Sequence, residues 1–233
     1  MRSPRHESDT ACASRVSVLY DVACCRKHKT NRPMRKVFDQ AYYERFYRNP
    51  GTRAVTPAGA ARQAQFIAAY LRYLDISVKR VLDIGCGTGL ALRALQRAIP
   101  RALCTGVEFS DYLCERYGWE QGSVVDWRGP APYDLVICND VLTYLDDANC
   151  ARALRNLSHL TCGALFLGVL TSEDEGAYDP ERTDPLQHRR ALRWYRNRLA
   201  QNFANVGGGL YLRRPLQVTV WALDKLEPTG RTA

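Results

Sequence analysis

Apolar runs of strand length alternate with amphipathic stretches of helix length along the chain beyond Lys79. The apolar runs predict strands at 80–84, 102–108, 122–126, 133–138 and 163–170. The stretches between them predict helices at about 88–98, 110–117 and 147–160. Such an alternation is typical of a parallel sheet whose two faces are covered by helices.

Helical patterns also precede this alternating region. Phe38, Tyr42 and Phe46 recur at four-residue spacing, which predicts a short helix with an aromatic face. Thr56 and Pro57 then supply an N-cap and a first-turn proline for a helix that extends to about Leu74.

At the other end, a helix is predicted near 187–203 and is followed by two strands, at about 205–213 and 216–224. The long acidic stretch from Thr171 to His188 leaves the carboxyl end of the fifth strand. Loops of this kind often build the pocket for a substrate.

Composition and charge limit the class of protein. The 233 residues suit one domain, and 46% hydrophobic with 24% charged residues is ordinary for a globular chain. We expect a cytoplasmic, soluble protein, because the sequence shows neither a membrane span nor a secretory signal. The nine cysteines are scattered without a CxxC pair, so no metal site is predicted.

The net charge of +9 is concentrated in a leader. Residues 1–36 hold nine Lys and Arg against three Asp and Glu, a net charge of +6, and show no periodic apolar face. We therefore predict a disordered basic leader at 1–36, a catalytic domain at 37–226 and a tail at 227–233. Deletion of residues 1–33 is expected to leave folding and ligand affinity unchanged.

A glycine-rich turn stands where the first strand of the sheet meets a helix. Residues 81–89 read VLDIGCGTG, so Gly85, Gly87 and Gly89 let a ligand approach the backbone at a helix N-terminus. The spacing is GxGxG, and Leu90 stands where the dinucleotide fingerprint has its third glycine. A nicotinamide or flavin cofactor is therefore disfavoured.

Polar residues follow the next three predicted strands. Glu108 ends the second strand, at a position where a carboxylate can accept hydrogen bonds from a ribose diol. Asp126 and Trp127 end the third, where they suit an adenine ring. Asn139 and Asp140 end the fourth, at the edge of the sheet where ligands bind in open α/β folds.

Together these four segments resemble the class I S-adenosylmethionine-dependent methyltransferases, over roughly Val37 to Leu226 at the level of the fold. The resemblance implies a Rossmann-like α/β fold with a seven-stranded, mostly parallel sheet of order 3-2-1-4-5-7-6. It also implies S-adenosyl-L-methionine as the cofactor, with S-adenosyl-L-homocysteine as the product. The last strand would be antiparallel and lie between the fifth and the sixth.

The same resemblance implies roles for particular residues. Asp83 and Gly85 to Gly89, including Cys86 and Gly87, would hold the methionine end, Glu108 the ribose, Asp126 and Trp127 the adenine, and Asn139 the floor beneath the sulfonium. Phe109, Tyr43 and Arg53 are further candidate cofactor contacts. No residue is predicted to be catalytic: Asp140, Tyr144 and His188 are conceivable proton acceptors, and each has an ordinary structural explanation.

The predicted reaction is direct in-line transfer of a methyl group, most simply to a small-molecule acceptor, because the chain lacks the Asn-Pro-Pro-Tyr motif of enzymes that methylate amino groups of nucleic acid and glutamine. Two alternatives remain open at this point. The protein could bind nucleic acid through its basic leader, or act as a regulatory or scaffold subunit with the same fold. Because Glu108 is predicted to be an exposed strand-end acid, Glu108→Ala is expected to weaken cofactor binding and hardly affect folding.

Overall fold

The computed structural model describes residues 38–225 as a seven-stranded sheet of order β3-β2-β1-β4-β5-β7-β6. The strands are β1 (Arg80–Ile84), β2 (Leu103–Glu108), β3 (Glu120–Gln121), β4 (Tyr133–Asn139), β5 (Thr161–Gly168), β6 (Phe203–Asn205) and β7 (Leu210–Arg213). The predicted leader at 1–36 and tail at 227–233 lie outside the described residues. The order of the strands confirms the predicted topology.

The central strands of the sheet are parallel and buried. β1 pairs with β2 on one side and with β4 on the other, and β4 pairs with β5. Val81, Leu82 and Ile84 are fully buried, as expected for a strand covered on both faces. Because the strands run in the same direction, their carboxyl ends meet at one edge of the sheet.

The third strand is shorter and earlier than predicted. The predicted strand 122–126 is wrong: β3 ends at Gln121, and the following residues form a turn. The backbone N–H groups of Asp126 and Trp127 both donate to the carbonyl of Ser123, at 3.2 and 2.8 Å. This turn hydrogen bonding removes the segment from the sheet, although its short apolar run suits a strand.

The C-terminal hairpin is also shifted. The predicted strands at 205–213 and 216–224 are replaced by β6 and β7, and β7 runs antiparallel between β5 and β6. Gly207, Gly208 and Gly209 all have positive φ and turn the chain between them. Pro215 lacks the N–H that would continue β7, and residues 216–224 form no strand.

Six α-helices cover the described sheet: α1 (Gln40–Tyr43), α2 (Pro57–Tyr73), α3 (Leu90–Ala98), α4 (Asp111–Tyr117), α5 (Asp147–Leu160) and α6 (Leu192–Leu199). A π-helical turn, Glu44–Arg48, continues α1. The hydroxyl of Thr56 accepts the N–H of Gly59 at 3.0 Å, which confirms the predicted cap of α2. Helix α6 is shorter than the predicted 187–203, since residues 187–191 belong to the preceding loop.

The helices form two layers. Residues of α2 and α3, such as Ile67, Leu71 and Leu95, pack against one face of the sheet, and residues of α5 and α6, such as Leu157 and Leu199, pack against the other. All described cysteines are free, and Cys86, Cys138 and Cys150 lie buried as small apolar groups. Within residues 38–225 no helix is long and apolar enough to cross a membrane.

Candidate functional site

The glycine turn joins β1 to α3 at the carboxyl edge of the sheet. Gly85, Gly87 and Gly89 have φ values of +81°, +54° and +73°, in the left-handed region that L side chains rarely adopt. The N–H groups of Gly85 and Cys86 both donate to the carbonyl of Val107, at 2.8 and 3.1 Å. The turn is therefore fastened to the end of β2.

A tryptophan supports the same turn from behind. The indole N–H of Trp119 donates to the carbonyl of Gly87 at 3.0 Å. A Cβ at Gly89 would lie 2.5 Å from the Trp119 ring, and one at Gly106 would lie 2.8 Å from it. Sequence reasoning missed Trp119, because an aromatic residue after a helix carries no signal of its partner.

Glu108 accepts hydrogen bonds from the backbone of the glycine turn and of the residues after β2. Its Oε2 accepts the N–H of Gly87 at 2.7 Å, and its Oε1 accepts the N–H of Ser110 at 3.0 Å. The side chain is only 6% exposed. The expectation that Glu108 is an exposed acid with little part in folding is therefore wrong. Each carboxylate oxygen keeps acceptor capacity for a ligand beyond its backbone bond.

Asp83 is the second buried carboxylate of the turn. It is 2% exposed, and its Oδ2 has no hydrogen-bond partner among residues 38–225. Burial, and next the charge of Glu108, raises the pKa of Asp83 to about 7. A buried carboxylate oxygen without a partner among the described residues, beside a second carboxylate, suits a cationic group.

The end of β4 brings Asn139 and Asp140 to the same edge. The Nδ2 of Asn139 donates to Oδ2 of Asp140 at 2.9 Å, and a Cβ at Gly168 would overlap the Oδ1 of Asn139. Asp140 has a φ of +57°, an uncommon conformation for a residue other than glycine. Burial raises its pKa to about 6. Strain of this kind is typical of functional sites.

The aromatic N-terminal segment covers the crevice. A Cβ at Gly87 would lie 3.8 Å from the ring of Tyr47. Burial raises the pKa of Tyr47, and Tyr144, Asp140, Glu108 and Asp83 raise it further, so its hydroxyl lies among these groups. Tyr47 is not among the contacts predicted from the sequence, although its four-residue spacing from the candidate Tyr43 indicates that the two share a helix face.

The other candidate contacts lie at different depths. Tyr43 is 3% exposed, and its ring stacks on Tyr112 at a centroid distance of 6.2 Å. Phe109 follows β2 and is 46% exposed. Arg53 lies in the connection before α2, where its carbonyl accepts from Arg182 at 3.4 Å.

The side chains of the two predicted adenine contacts have different surroundings after the end of β3. Asp126 is exposed on the turn after the strand. Trp127 is 8% exposed, its indole N–H donates to Glu120 at 2.7 Å, and its ring packs 6.4 Å from that of Tyr133. The Trp127 ring thus packs in the core, β3 ends five residues before Asp126, and the assignment of both residues to the adenine stays a prediction.

These features define an α/β protein of the Rossmann-like class with a ligand crevice at the carboxyl edge of the sheet. The crevice is bounded by the glycine turn, by the two buried carboxylates and by the end of β4. The family model for the methyltransferase domain matches residues 58–216. The chain belongs to this methyltransferase domain family.

Two of the similar proteins are methyltransferases named for small molecules or their biosynthesis. The chain is 30% identical over 105 residues to trans-aconitate 2-methyltransferase of Pseudomonas paraeruginosa, which covers 42% of this chain and 38% of that protein. It is 32% identical over 98 residues to the ubiquinone biosynthesis O-methyltransferase of Bordetella parapertussis, which covers 36% and 40%. The chain thus spans about two fifths of the length of these relatives.

Solved structures share the fold. DesVI of Streptomyces venezuelae has a TM-score of 0.53 at 17% identity, with 67% of this chain and 92% of that chain covered. The magnesium protoporphyrin IX methyltransferase of Synechocystis has a TM-score of 0.53 at 20% identity, with 77% and 94% covered. At these identities the similarity establishes the architecture, which the strand order shows independently.

Proposed function

We propose that this protein binds S-adenosylmethionine in the crevice at the carboxyl edge of the sheet and transfers its methyl group to a small molecule. The observation that carries the proposal is the unpartnered Oδ2 of Asp83, which lies buried beside Glu108 at the base of the glycine turn. The cofactor has an ammonium group, a carboxylate and a ribose diol, and the residues of the turn suit these three groups.

Asp83 fits the ammonium group, because a buried carboxylate with a raised pKa gains most from a cation. The glycine turn and the N-terminus of α3 fit the carboxylate. The remaining acceptor capacity of Glu108 fits the ribose hydroxyls. We further propose Gly85, Cys86, Gly87, Gly89 and Asn139 as residues that line the site, with Tyr43 behind the aromatic cover and the exposed Phe109 beside the adenine.

When bound, the cofactor supplies an activated methyl group on a sulfonium, an excellent leaving group. The chain then has to align the acceptor and exclude water. Tyr47 covers the turn and excludes water from it. The pKa of Tyr42 and that of Tyr144 lie above the ordinary tyrosine value, chiefly through burial, so both hydroxyls remain protonated and act as hydrogen-bond partners rather than bases.

Asp140 is the group best suited to receive a proton, if the acceptor brings one. Its pKa of about 6 lies close to neutral, and it stands at the end of β4 beside Asn139. The exposed His188 lies further out, on the loop before α6. We propose a small-molecule acceptor because the similar proteins are named for trans-aconitate and for ubiquinone biosynthesis.

Calorimetry with S-adenosylhomocysteine, NAD and FAD tests the cofactor. We expect S-adenosylhomocysteine to bind and the two dinucleotides to show no measurable binding. Incubation of the protein with methyl-labelled S-adenosylmethionine and a cell extract then tests transfer, with Asp83→Asn as the matched inactive control. Tight NAD binding without S-adenosylhomocysteine binding would refute the cofactor assignment, and label in nucleic acid or protein alone would refute the small-molecule acceptor.

A further inference from the structure

A second polar cluster lies beside the cofactor crevice, on the far side of Tyr47. The hydroxyls of Tyr42 and Tyr144 are 2.7 Å apart, and the Nε2 of Gln187 donates to the Tyr144 hydroxyl at 3.4 Å. Asp184 adds a carboxylate: its charge helps to raise the pKa of both tyrosines, after the larger effect of burial. We call these four residues the tyrosine cluster.

The cluster contains more acceptors than donors. Asp184 is 6% exposed, and its Oδ1 accepts the N–H of Leu186 at 2.9 Å. Its Oδ2 and the Oε1 of Gln187 are both buried without a partner among the described residues. The two tyrosines share one of their hydroxyl hydrogens with each other, so a single phenolic hydrogen is left for other acceptors. The buried Oδ2 of Asp184 and the buried Oε1 of Gln187, three residues apart on one loop, are therefore open to donors from a ligand.

The cluster is held firmly and borders the cofactor crevice. The N–H of His188, next to Gln187, donates to the carbonyl of Thr143 at 2.7 Å, which ties the loop to the turn before Tyr144. The pKa of Tyr47 is raised by Tyr144 and Asp140 as well as by Glu108 and Asp83, after burial. The Tyr47 ring lies 6.4 Å from the Tyr42 ring, and a Cβ at Gly87 would lie 3.8 Å from it, so Tyr47 stands between the tyrosine cluster and the glycine turn.

The charges around the tyrosine cluster favour some ligand groups over others. Asp184 and Asp140 both place carboxylates at this end of the crevice, and within residues 38–225 Asp184 forms no ion pair. Arg190, the buried cation of the same loop, is paired with Asp147 at 2.7 Å. An acceptor carboxylate would meet two like charges here, whereas a hydroxyl or an ammonium would find free acceptors.

We propose that the tyrosine cluster is the acceptor pocket and that it takes the methyl acceptor through a group that donates hydrogen bonds, a hydroxyl or an amino group, while it disfavours carboxylates. This inference rests on the proposed function, because it assigns the acceptor side of the same crevice. It also separates this chain from a relative named for a carboxylate, trans-aconitate.

Three matched ring fragments test the pocket: benzyl alcohol, benzylamine and benzoate. Their rings suit the aromatic surroundings, where Phe38 and Tyr144 make an edge contact at 5.0 Å. Binding is measured by saturation-transfer NMR on protein saturated with S-adenosylhomocysteine and on the free protein. We expect the alcohol or the amine to bind more tightly than benzoate, and their order tells whether the pocket prefers a hydroxyl or an ammonium, which must lose a proton before its nitrogen can take the methyl group.

Asp184→Asn keeps the shape of the side chain and removes its charge. We expect it to weaken benzylamine binding about tenfold or more, since a hydrogen bond to a charged group is lost. Asp179→Asn, on the exposed part of the same loop, is the matched control and is expected to leave binding unchanged. Tyr144→Phe provides a second variant, if Asp184→Asn does not fold, and is expected to weaken the binding of both donor fragments.

Each result decides the proposal. Benzoate binding as tightly as the donor fragments, the absence of binding by both donor fragments, or an effect of Asp184→Asn equal to that of Asp179→Asn would overturn it. Calorimetry with S-adenosylhomocysteine on the same samples keeps the two proposals apart. Failure of that ligand to bind contradicts the proposed function, whereas the selectivity of the free protein for the fragments tests the pocket itself.

Discussion

Affinity for S-adenosylhomocysteine is expected to depend on pH through Asp83. This carboxyl has a pKa of about 7 in the ligand-free protein, so near neutral pH about half of the molecules carry it protonated. An ammonium group binds the ionised form, and the proton must leave. Raising the pH from about 6 to about 8 should therefore strengthen binding about tenfold, and near pH 7 about half a proton should be released for each ligand bound.

Calorimetry in buffers of different ionisation enthalpy measures both quantities. Methylthioadenosine lacks the amino-acid end and is the matched ligand, whose affinity should not change over this range. Asp83→Asn is the matched protein, in which the pH dependence and the proton release should both disappear. The variant also separates the titration of Asp83 from that of Asp140, whose pKa burial raises to about 6. Equal pH dependence in the variant and the parent would show that Asp83 does not bind the ammonium.

The same carboxyl makes a prediction for stability without ligand. Because the pKa of Asp83 in the folded state is raised above its unfolded value, the folded state favours the protonated form. The stabilising contribution of Asp83 to the free energy of unfolding is therefore fully present below about pH 4 and is lost as the pH rises through about 7. The free energy of unfolding of Asp83→Asn should improve relative to the parent as the pH is raised from about 4 to about 8. Urea titrations at several pH values measure this difference, and a constant difference would contradict the raised pKa.

Three further predictions concern the turn and the loop. Glu108→Ala should raise the dissociation constant for S-adenosylhomocysteine about a hundredfold. It should also lower the melting temperature, because the N–H groups of Gly87 and Ser110 lose their acceptor. The exposed Glu115 of α4 provides the control, Glu115→Ala, and unchanged affinity in Glu108→Ala would refute the ribose assignment. Gly89→Ala should destabilise the protein more than Gly118→Ala in urea unfolding. Both glycines have positive φ, but only a Cβ at Gly89 would collide with Trp119. Equal losses of unfolding free energy would show that Trp119 moves aside. Arg190→Lys should lower the free energy of unfolding by about 1–3 kcal/mol. The reason is that the Arg190 guanidinium bridges Asp147 and the carbonyls of Leu142 and Leu145. Arg193→Lys is the control and should have no measurable effect; equal effects would refute the bridging role.

Local patterns in the sequence predicted the central strands and the glycine turn well, whereas the strand order was predicted from the resemblance to the methyltransferases. Buried parallel strands such as β1 and β4 are mostly apolar, and the turn needs glycine at positions with positive φ. β3 was misplaced because Val124 and Trp127 are buried by packing rather than by strand pairing. A short run of apolar residues does not distinguish these two causes.

The tertiary contacts of the site were beyond the sequence for a different reason. The hydrogen bond from Trp119 to Gly87 joins residues 32 positions apart, and that between Tyr42 and Tyr144 joins residues 102 positions apart. Neither follows from periodicity. Glu108 was assigned to the correct strand end, but its burial follows from two backbone partners that only the fold brings near.

The position of β7 has a consequence for synthesis of the chain on the ribosome. β5 pairs with β7 through Ala164, Leu165 and Phe166, so its outer edge remains open until Leu210 to Leu212 have emerged. Nearly the whole glycine turn and its carboxylates can form earlier, while an apolar strand edge is still exposed. A chain interrupted before Leu210 would therefore present a nearly complete ligand crevice on a sheet that is prone to aggregate.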